Sequence, residues 1–471
     1  MGLTRKRMLG LVGATAAGSV AASLSSSAAE AAARGTAAAL TESHVIHRDV
    51  CVIGGGSAGT YTATRLGDVG KSVVLVEAKD RLGGHTETYH DPVTGGTVDI
   101  GVIVFEDDPL VHRHFGRFGI DLVQAGGFGA TNRYVDFRTG RPVDYTPPVP
   151  TALPTYFELI SQYGPIDTVI NLPDPVPQDL VAPFADFVDK YDLGSIVPLI
   201  FNYGQGLGDF LALPALYTIN LFGLGAVRNV LGGSFITTAA HDNSLLYERA
   251  TTHLSDDVLL ESQVLRVDRS AGEVRVLVAT PDGARLIRAK KLVVTVPQLL
   301  RGFAGFDLDA VERSLFSQFV SGAYYTGVAR LSGVPDGISL ENVAAETPFN
   351  LPPLPGLYQV SPTGIPGLYN VKYGSPSPLP AERVRRDIRA GIERVAAAGT
   401  YPVRFEGLEI FASHTPFELH VAPAAIARGF YRKLNGLQGR NRTYYTGAAF
   451  HSHNSTRIWN GIEGLLPSIA A

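Results

Sequence analysis

The amino-acid sequence predicts an α/β protein, in which a nucleotide-binding domain with a parallel sheet is joined to a second, α+β domain. Three observations support this fold class. An apolar run ends in closely spaced glycines at 49–59, a second short run ends in an acid at 72–77, and a third strand-like run follows much later, at 290–297. Because 471 residues exceed what one compact core usually holds, we expect two domains.

The first element is a strand followed by a glycine turn and a helix. Residues 49–53, DVCVI, are typical of a buried parallel strand, and Gly54, Gly56 and Gly59 follow as G-x-G-x-x-G. Gly54 permits a tight turn, Gly56 lets the backbone approach a pyrophosphate, and Gly59 lets the next helix, about 58–66, pack close to the strand. The N-terminus of that helix would point at the phosphates.

The second element, SVVLVE at 72–77, is a strand that ends in Glu77. A carboxylate at this spacing after a glycine motif is expected to bind a ribose. Together the two elements predict a Rossmann-like dinucleotide-binding fold. NAD and FAD share this fingerprint, so these elements leave both open.

The next residues resemble a known flavoprotein family. EAKDRLGGHTET at 77–88 has the form E-x-x-x-R-x-G-G and resembles the second FAD-binding element of the flavin amine oxidase superfamily, which includes amine oxidases, amino-acid oxidases and desaturases. The resemblance implies FAD as the cofactor and a GR2-type FAD/NAD(P)-binding fold. It also implies that Glu77 holds the adenosine ribose, that Arg81 approaches the pyrophosphate, and that Gly83 and Gly84 let the chain pass beside the flavin.

Later segments resemble the remaining FAD elements of this family, in the expected order. VDIGV at 98–102 resembles a strand that turns beneath the isoalloxazine, and 258–283 resembles a strand–turn–strand in which the backbone of Val264 pairs with adenine. Within 442–469 a strand would end at Gly447. A helix would then start near Thr456 as its N-cap, with the amides of Ile458 and Trp459 facing the N1–O2 edge of the flavin. The residues predicted to bind FAD are Gly54, Gly56, Ser57, Ala58, Gly59, Glu77, Ala78, Arg81, Gly83, Gly84, His85, Thr86, Val264, Gly447, Ile458 and Trp459.

The distribution of these elements predicts a discontinuous FAD-binding domain, formed by 47–110, 230–300 and 415–471. The segments between them, 111–229 and 301–414, would form a substrate-binding domain over the flavin. The first contains an apolar helical region at 197–225. The second contains strands at 323–333 and 367–374 and a helix at 381–399.

Two departures from the amine-oxidising branch of the family weaken an amine oxidase assignment. That branch usually carries a lysine that holds a water near flavin N5, and we align Thr326 with it in a stretch, 321–331, that has no lysine. The branch also favours two aromatic residues around the substrate, where this chain has the polar run FHSHN at 450–454.

Several polar side chains remain as candidates for catalysis, and we name His85, His453 and Tyr325. His85 would donate a hydrogen bond to the flavin or attach it covalently, or would only bond backbone near the turn. His451 and His453 alternate, so that one would face the site and the other solvent. Tyr203, Tyr324 and Tyr325 would line the pocket or belong to the core. No carboxylate or cysteine lies near the histidines at ligand spacing, so no metal site is predicted.

Longer stretches resemble two groups within the superfamily. Residues 52–92 resemble the β-cyclopiazonate dehydrogenase group, which oxidises an indole-derived metabolite, while 182–188 and 429–450 resemble bacterial polyunsaturated fatty acid double-bond isomerases. We therefore expect an FAD-dependent oxidoreductase that abstracts hydride from a C–H bond of a small hydrophobic substrate. The alternatives are a redox-neutral double-bond isomerase of polyunsaturated fatty acids, an amine oxidase, and a flavin-binding protein without catalysis.

Composition and the N-terminal residues indicate which partners and which cellular location are expected for the protein. A net charge of -4, with scattered Lys and Arg, predicts no nucleic-acid partner. Cys51 is the only cysteine, so no internal disulfide forms, and we expect it to be a buried strand residue.

Residues 1–40 predict a signal peptide, with a basic start at 5–7, a weakly apolar stretch and an A-x-A site at 29–31. TRKRML resembles a twin-arginine signal, which predicts export. No later segment is predicted to span a membrane, and the oligomeric state stays open.

Overall fold

The protein is described by a computed structural model that covers residues 44–126, 129–204, 206–270 and 272–471. The predicted export signal at 1–40 lies outside the described residues, so export stays a prediction. Within the described residues, no helix combines the length and the apolar character that crossing a membrane requires.

The strands and helices follow one another along the whole described chain. The strands are β1 (Val45–Ile53), β2 (Val73–Val76), β3 (Thr88–His90), β4 (Thr97–Asp99), β5 (Leu122–Gln124), β6 (Thr131–Asp136), β7 (Arg141–Pro142), β8 (Ile236–Thr238), β9 (Val258–Leu259), β10 (Gln263–Asp268), β11 (Val274–Thr280), β12 (Gly283–Val294), β13 (Val320–Ser332), β14 (Ile338–Asn342), β15 (Gly356–Pro362), β16 (Leu368–Ser375), β17 (Arg404–Ser413), β18 (Phe417–His420) and β19 (Thr443–Tyr445). The α-helices are α1 (Ser57–Asp68), α2 (Pro109–Arg117), α3 (Leu153–Ser161), α4 (Gln178–Val181), α5 (Phe184–Lys190), α6 (Val197–Tyr203), α7 (Ala215–Leu221), α8 (Leu224–Gly232), α9 (Leu245–Leu254), α10 (Ala310–Phe316), α11 (Ala381–Ala397), α12 (Pro423–Ala427), α13 (Phe430–Asn435) and α14 (Ser455–Ala470).

The first large sheet carries the glycine motif. Its strand order is β10-β11-β12-β1-β2-β9, and β19 pairs with the end of β12. β1 runs parallel to both β2 and β12. Both faces of this strand are covered by other elements, as is typical of parallel sheets. Val50 and Val52 pack into the cluster that contains residues of α1, while Cys51 and Ile53 point to the opposite face and a separate cluster. The predicted α/β fold class with a parallel sheet is confirmed, and Cys51 is fully buried as expected.

The second large sheet has the order β17-β13-β16-β15-β14-β6-β7, with β18 also pairing with β13. One face is covered by α11, whose apolar side chains share a core with Tyr325, Val371 and Tyr373. On the other face, the hydroxyl of Thr326 donates to the carbonyl oxygen of Ile100, which follows β4. This second face therefore contacts the segment that follows the glycine motif, and we call it the inner face.

The apolar region predicted to be helical at 197–225 is broken into α6, α7 and the start of α8. Buried side chains from these helices join the same core as Tyr324 and Tyr358 of the second sheet. The helices thus lie beside the inner face rather than forming one continuous wall.

Candidate active site

Two glycine-rich loops pack against each other at the end of β1. A Cβ atom on Gly59 would lie 1.7 Å from the carbonyl oxygen of Gly54, and Gly54 itself has φ +102°. A Cβ atom on Gly84 would lie 2.9 Å from the Cα of Gly56. The two loops form a cradle of bare backbone, which is the arrangement that lets a pyrophosphate approach closely.

Two helices begin at this cradle. α1 starts at Ser57 and α14 starts at Ser455, and the hydroxyl of Ser57 donates to that of Ser455 over 2.9 Å. The positive ends of both helix dipoles therefore meet at one point, which favours an anion there. The N-cap of α14 is Asn454, whose side chain accepts from the amides of Thr456 and Arg457, so the prediction of Thr456 as N-cap is wrong.

Several buried hydroxyl groups next to this point have no partner within the described part of the chain. They belong to Thr86, Tyr247 and Thr456. Tyr247 lies beside Thr86, Ser57 and Ser455. Because buried donors without partners are costly, a group rich in acceptor oxygens fits here, and a diphosphate is such a group.

Glu77, the residue predicted to bind the adenosine ribose, lies against the first glycine loop. Its Oε2 accepts from the amide of Gly55 over 2.6 Å, and its Oε1 accepts from the amide of Lys79 over 2.8 Å. The amide of Ser262 donates to the carbonyl oxygen of Glu77, which brings the start of the segment containing Val264 to the same place. The carboxylate is thus held in a fixed orientation, as binding of a ribose diol requires.

Arg81 is more constrained than the sequence suggested. Its guanidinium donates to the carbonyl oxygens of Leu82 and Thr86 and pairs with Glu87 over 3.0 Å. It therefore braces the loop that holds Gly83 and Gly84. Its predicted approach to the pyrophosphate stays a prediction.

Comparison with known proteins decides which family this cradle serves. Residues 57–300 match the family described as flavin containing amine oxidoreductase. An FAD-dependent oxidoreductase of Emericella nidulans, dbaF, is 38% identical over 91% of this chain and 92% of its own length. The chain belongs to the flavin-containing amine oxidoreductase family. It is an FAD-dependent oxidoreductase, and the prediction of FAD as its cofactor is confirmed.

Two further comparisons show which other known proteins this flavoenzyme is similar to in sequence and in fold. The β-cyclopiazonate dehydrogenase of Aspergillus oryzae is 34% identical over 90% of this chain and 94% of its own length. Among solved structures, the CLA-producing fatty acid isomerase from P. acnes shares the fold, with a TM-score of 0.74 and 20% identity over 89% of this chain and 98% of that one. The predicted resemblance to the superfamily and to both groups is therefore confirmed.

The residues of the flavoenzyme fit FAD by the chemistry of the cradle. The hydroxyls of Thr86, Tyr247 and Thr456 offer donors for the diphosphate, and the carboxylate of Glu77 offers acceptors for a ribose. Gly447 has φ +110°, and a Cβ atom there would lie 3.3 Å from the carbonyl oxygen of Thr295, the residue after β12.

A cluster of rings surrounds His85, the residue after the second glycine loop. The His85 ring lies 5.0 Å from that of His414 and 6.2 Å from that of Phe417, measured between centroids. Phe417 stacks on His453 at 4.2 Å, and Tyr324 lies 5.6 Å from His414. The structure therefore brings His85 and His453 together with three rings that the sequence analysis had not grouped with them.

The hydrogen bonds of His414 and His453 require opposite roles of Nε2 in the two rings, and burial favours the neutral form of both. Nε2 of His414 donates to the Thr326 hydroxyl oxygen over 3.1 Å and to the Ile100 carbonyl oxygen over 3.2 Å. Nε2 of His453 instead accepts from the amide of Glu418 over 2.9 Å. Burial lowers the pKa of His414 and of His453 to about 4, and burial lowers the pKa of His85 well below its usual value.

Glu418 adds a carboxyl group that is also neutral. It is almost fully buried, and burial raises its pKa to about 8. Its Oε2 has no hydrogen-bond partner within the described residues and lies 3.8 Å from Nε2 of His453. Since that nitrogen already accepts the Glu418 amide, the contact is not an ion pair, and the side chain is a carboxylic acid at neutral pH.

We expect replacement of Glu418 by glutamine to stabilise the protein increasingly as the pH rises. Folding raises the pKa of this carboxyl from 4.5 to about 8, so the native state binds more protons than the unfolded state between these values. The stability of the wild type therefore falls across that interval, and Glu418→Gln removes the fall. Between pH 5 and pH 8 the difference in free energy of unfolding should grow by on the order of 3 kcal/mol.

Urea denaturation at a series of pH values measures this effect. Glu382→Gln, on the exposed start of α11, is the matched control and should show no trend with pH. A pH-independent difference between Glu418→Gln and the wild type would show that Glu418 is ionised in the native state.

Three other residues named as site candidates from the sequence, Tyr325, His451 and Tyr203, lie outside the ring cluster. Tyr325 points to the opposite face of its strand, where its hydroxyl exchanges hydrogen bonds with the backbone of Leu379, so it does not reach the ring cluster as predicted. His451 does not face solvent either. It is buried, with its ring nitrogens bonded to the Thr168 carbonyl oxygen and the Thr446 hydroxyl. Tyr203 is 40% exposed and packs on Phe222, outside the cluster.

Of the two residues of the C-terminal helix whose amides were predicted to face the flavin, Ile458 has its amide engaged within the helix. The amide of Ile458 donates to the carbonyl oxygen of Asn454, as the first turn of α14 requires, and so it is engaged within the helix. The indole of Trp459 is fully buried, stacks on Tyr61 and donates to the carbonyl oxygen of Ser57. Trp459 therefore fixes α14 against α1 from behind the cradle.

His414, Phe417 and Glu418 were not predicted from the sequence. They belong to the run HTPFELH at 414–420, which enters β18 and pairs with the beginning of β13. Two histidines, a carboxylate and an aromatic ring within seven residues, at the start of a segment predicted to belong to the FAD-binding domain, were a signal that could have drawn attention to this run.

Proposed function

We propose that this flavoenzyme removes hydride from a C–H bond of a small hydrophobic substrate and does not oxidise simple amines. The observation that supports this is the neutrality of the ring cluster. Tyr324 and Phe417 are uncharged, the imidazoles of His414 and His453 are neutral, and Glu418 carries its proton. An aliphatic amine is an ammonium ion at neutral pH and calls for an anionic partner, which this cluster does not offer among the described residues.

FAD, when bound, supplies a two-electron acceptor for this reaction. In a dehydrogenation the substrate carbon loses its hydrogen with both bonding electrons, and a neighbouring atom loses a proton. A neutral imidazole can take up that proton, and His85, His414 and His453 lie at this end of the glycine loops. Because burial lowers the pKa of each ring, each is a weak base. Their burial among Tyr324 and Phe417 excludes water and strengthens any polar contact with the substrate.

The names of relatives support a dehydrogenation. The β-cyclopiazonate dehydrogenase, at 34% identity, carries that reaction class in its name. The fatty acid isomerase from P. acnes supports the shared fold alone, so a redox-neutral isomerisation enters here only as an outcome of the test.

Anaerobic mixing tests the proposal. The FAD-loaded protein is mixed separately with benzylamine, with L-phenylalanine and with linoleate, and both flavin bleaching and the products are followed. We expect no rapid bleaching by benzylamine or by the amino acid, because the ammonium group of each compound, which carries the C–H bond to be oxidised, finds no counter-charge in the ring cluster. Rapid bleaching by either one would overturn the proposal and restore an amine or amino-acid oxidase. A shifted double bond in linoleate without lasting bleaching would replace dehydrogenation by isomerisation.

A further inference from the structure

A row of polar side chains crosses the second sheet at one level. The strand registers place Thr326 opposite Lys372, Lys372 opposite Gln359, and Gln359 opposite Glu341. Residues that are directly opposite in neighbouring strands share a face of the sheet. The row therefore runs across β13, β16, β15 and β14 on a single face.

That face is the inner one. In β16, Val371 and Tyr373 pack into the core beneath α11, so Lys372 between them points the other way. Thr326, its neighbour in the row, contacts both Ile100 and His414. Lys372 thus lies one strand away from the polar edge of the ring cluster.

The ammonium group of Lys372 is not neutralised. The side chain is half-buried, and it has no hydrogen-bond or ion-pair partner among the described residues. Glu341, the carboxylate in the same row, is engaged by the hydroxyl of Ser339 at 2.7 Å and by Nε2 of Gln359 at 3.0 Å. Burial lowers the pKa of Lys372, and the charge of Glu341 partly opposes that shift. An unpaired, partly buried ammonium group is costly, so a ligand anion that pairs with it gains affinity.

We propose that Lys372 binds an anionic oxygen of the substrate, a carboxylate or an enolate, and so orients its hydrophobic part toward the ring cluster around His85. The apolar part would lie along Tyr324 and Tyr358, which stack near each other beside Phe201 of α6. This inference rests on the proposed function and names the substrate class more closely, as a hydrophobic organic acid. It also gives a second reason for the exclusion of amines, since a lysine repels an ammonium ion.

Binding of matched probes by the FAD-loaded full chain tests the inference without turnover. Decanoate, decanamide and decylamine share one apolar chain and differ in the charge of the head group. By isothermal titration we expect the wild type to bind decanoate about tenfold or more tighter than decanamide, and decylamine most weakly, since a charge-assisted hydrogen bond is worth that much. Lys372→Met should weaken decanoate binding by about tenfold and leave decanamide unchanged. Lys372→Arg should retain the preference for decanoate.

Lys433→Met, on the exposed surface of α13, is the matched control and should bind all three probes as the wild type does. FAD content and the unfolding temperature, measured on each variant, separate loss of a ligand contact from loss of the fold. A wild type without preference for decanoate, or a Lys372→Met variant that keeps the preference, would overturn the inference. Either result would leave the proposed hydride abstraction standing, because that depends on flavin bleaching by each substrate class.

Discussion

The Gly59→Ala variant is expected to be purified with less than about a tenth of the FAD content of the wild type, because overpacking at a rigid contact is strongly destabilising. The added Cβ would lie 1.7 Å from the carbonyl oxygen of Gly54 and 3.0 Å from the hydroxyl of Thr295. The first contact belongs to the backbone turn that forms the cradle, and the Thr295 hydroxyl donates to the same Gly54 carbonyl oxygen. The helix can only move away from the strand, and this would displace Ser57 and the helix start that is predicted to face the diphosphate.

The ratio of flavin to protein absorbance after desalting measures this loss. Gly67→Ala is a matched control in the same helix, since a Cβ there meets nothing within 4 Å. It should retain full FAD content, and alanine should strengthen the helix slightly. Full FAD content in Gly59→Ala would mean that the strand and helix can separate without disturbing the cofactor.

The second large effect is expected from Glu312→Ala, which should lower the free energy of unfolding by about 3–5 kcal/mol, as breaking a buried ion pair does. The Arg269 guanidinium donates to both carboxylate oxygens of Glu312, at 2.7 and 2.8 Å, and both side chains are essentially inaccessible to solvent. The Tyr445 hydroxyl also donates to Glu312, which ties α10 to β19 just before Gly447. Removal of Glu312 leaves a buried guanidinium without this partner.

Urea denaturation compares this variant with Glu409→Ala, which breaks the more exposed pair with Arg330. That control should cost no more than about 1 kcal/mol. A loss of similar size in both variants would indicate that the Arg269–Glu312 pair contributes no more than a surface pair.

Motifs were predictable from the sequence where the contacts are made by backbone atoms of residues that lie close together in the chain. The turn at Gly54, the contact of Gly59 with it and the carboxylate at Glu77 lie within one strand–helix–strand unit, so spacing along the chain nearly determines their spacing in the structure. The C-terminal helix was placed within about one residue, and only its cap, Asn454, was missed.

The choice between adjacent side chains was not predictable. Tyr324 and Tyr325 have similar chemistry and point to opposite faces of β13, and the strand alone does not say which face meets the cofactor. α11, more than 50 residues further on, covers the face of Tyr325 and leaves Tyr324 and Thr326 toward His414. The catalytic prediction for Tyr325 failed for this reason.

By itself, the sequence determined the glycine cradle of a dinucleotide-binding fold, because those contacts are made by neighbouring backbone, and the family resemblance of residues 77–88 added FAD as the cofactor. Only the tertiary structure decided which side chains complete the site. His414 reaches His85 across more than 300 residues of chain, Glu418 lies beside His453, and Lys372 joins the row of Thr326 through the register of an antiparallel pair. Contacts between residues so far apart in the chain depend on strand register and on which helix covers which face of a sheet. Neither is encoded by the spacing of residues along the chain.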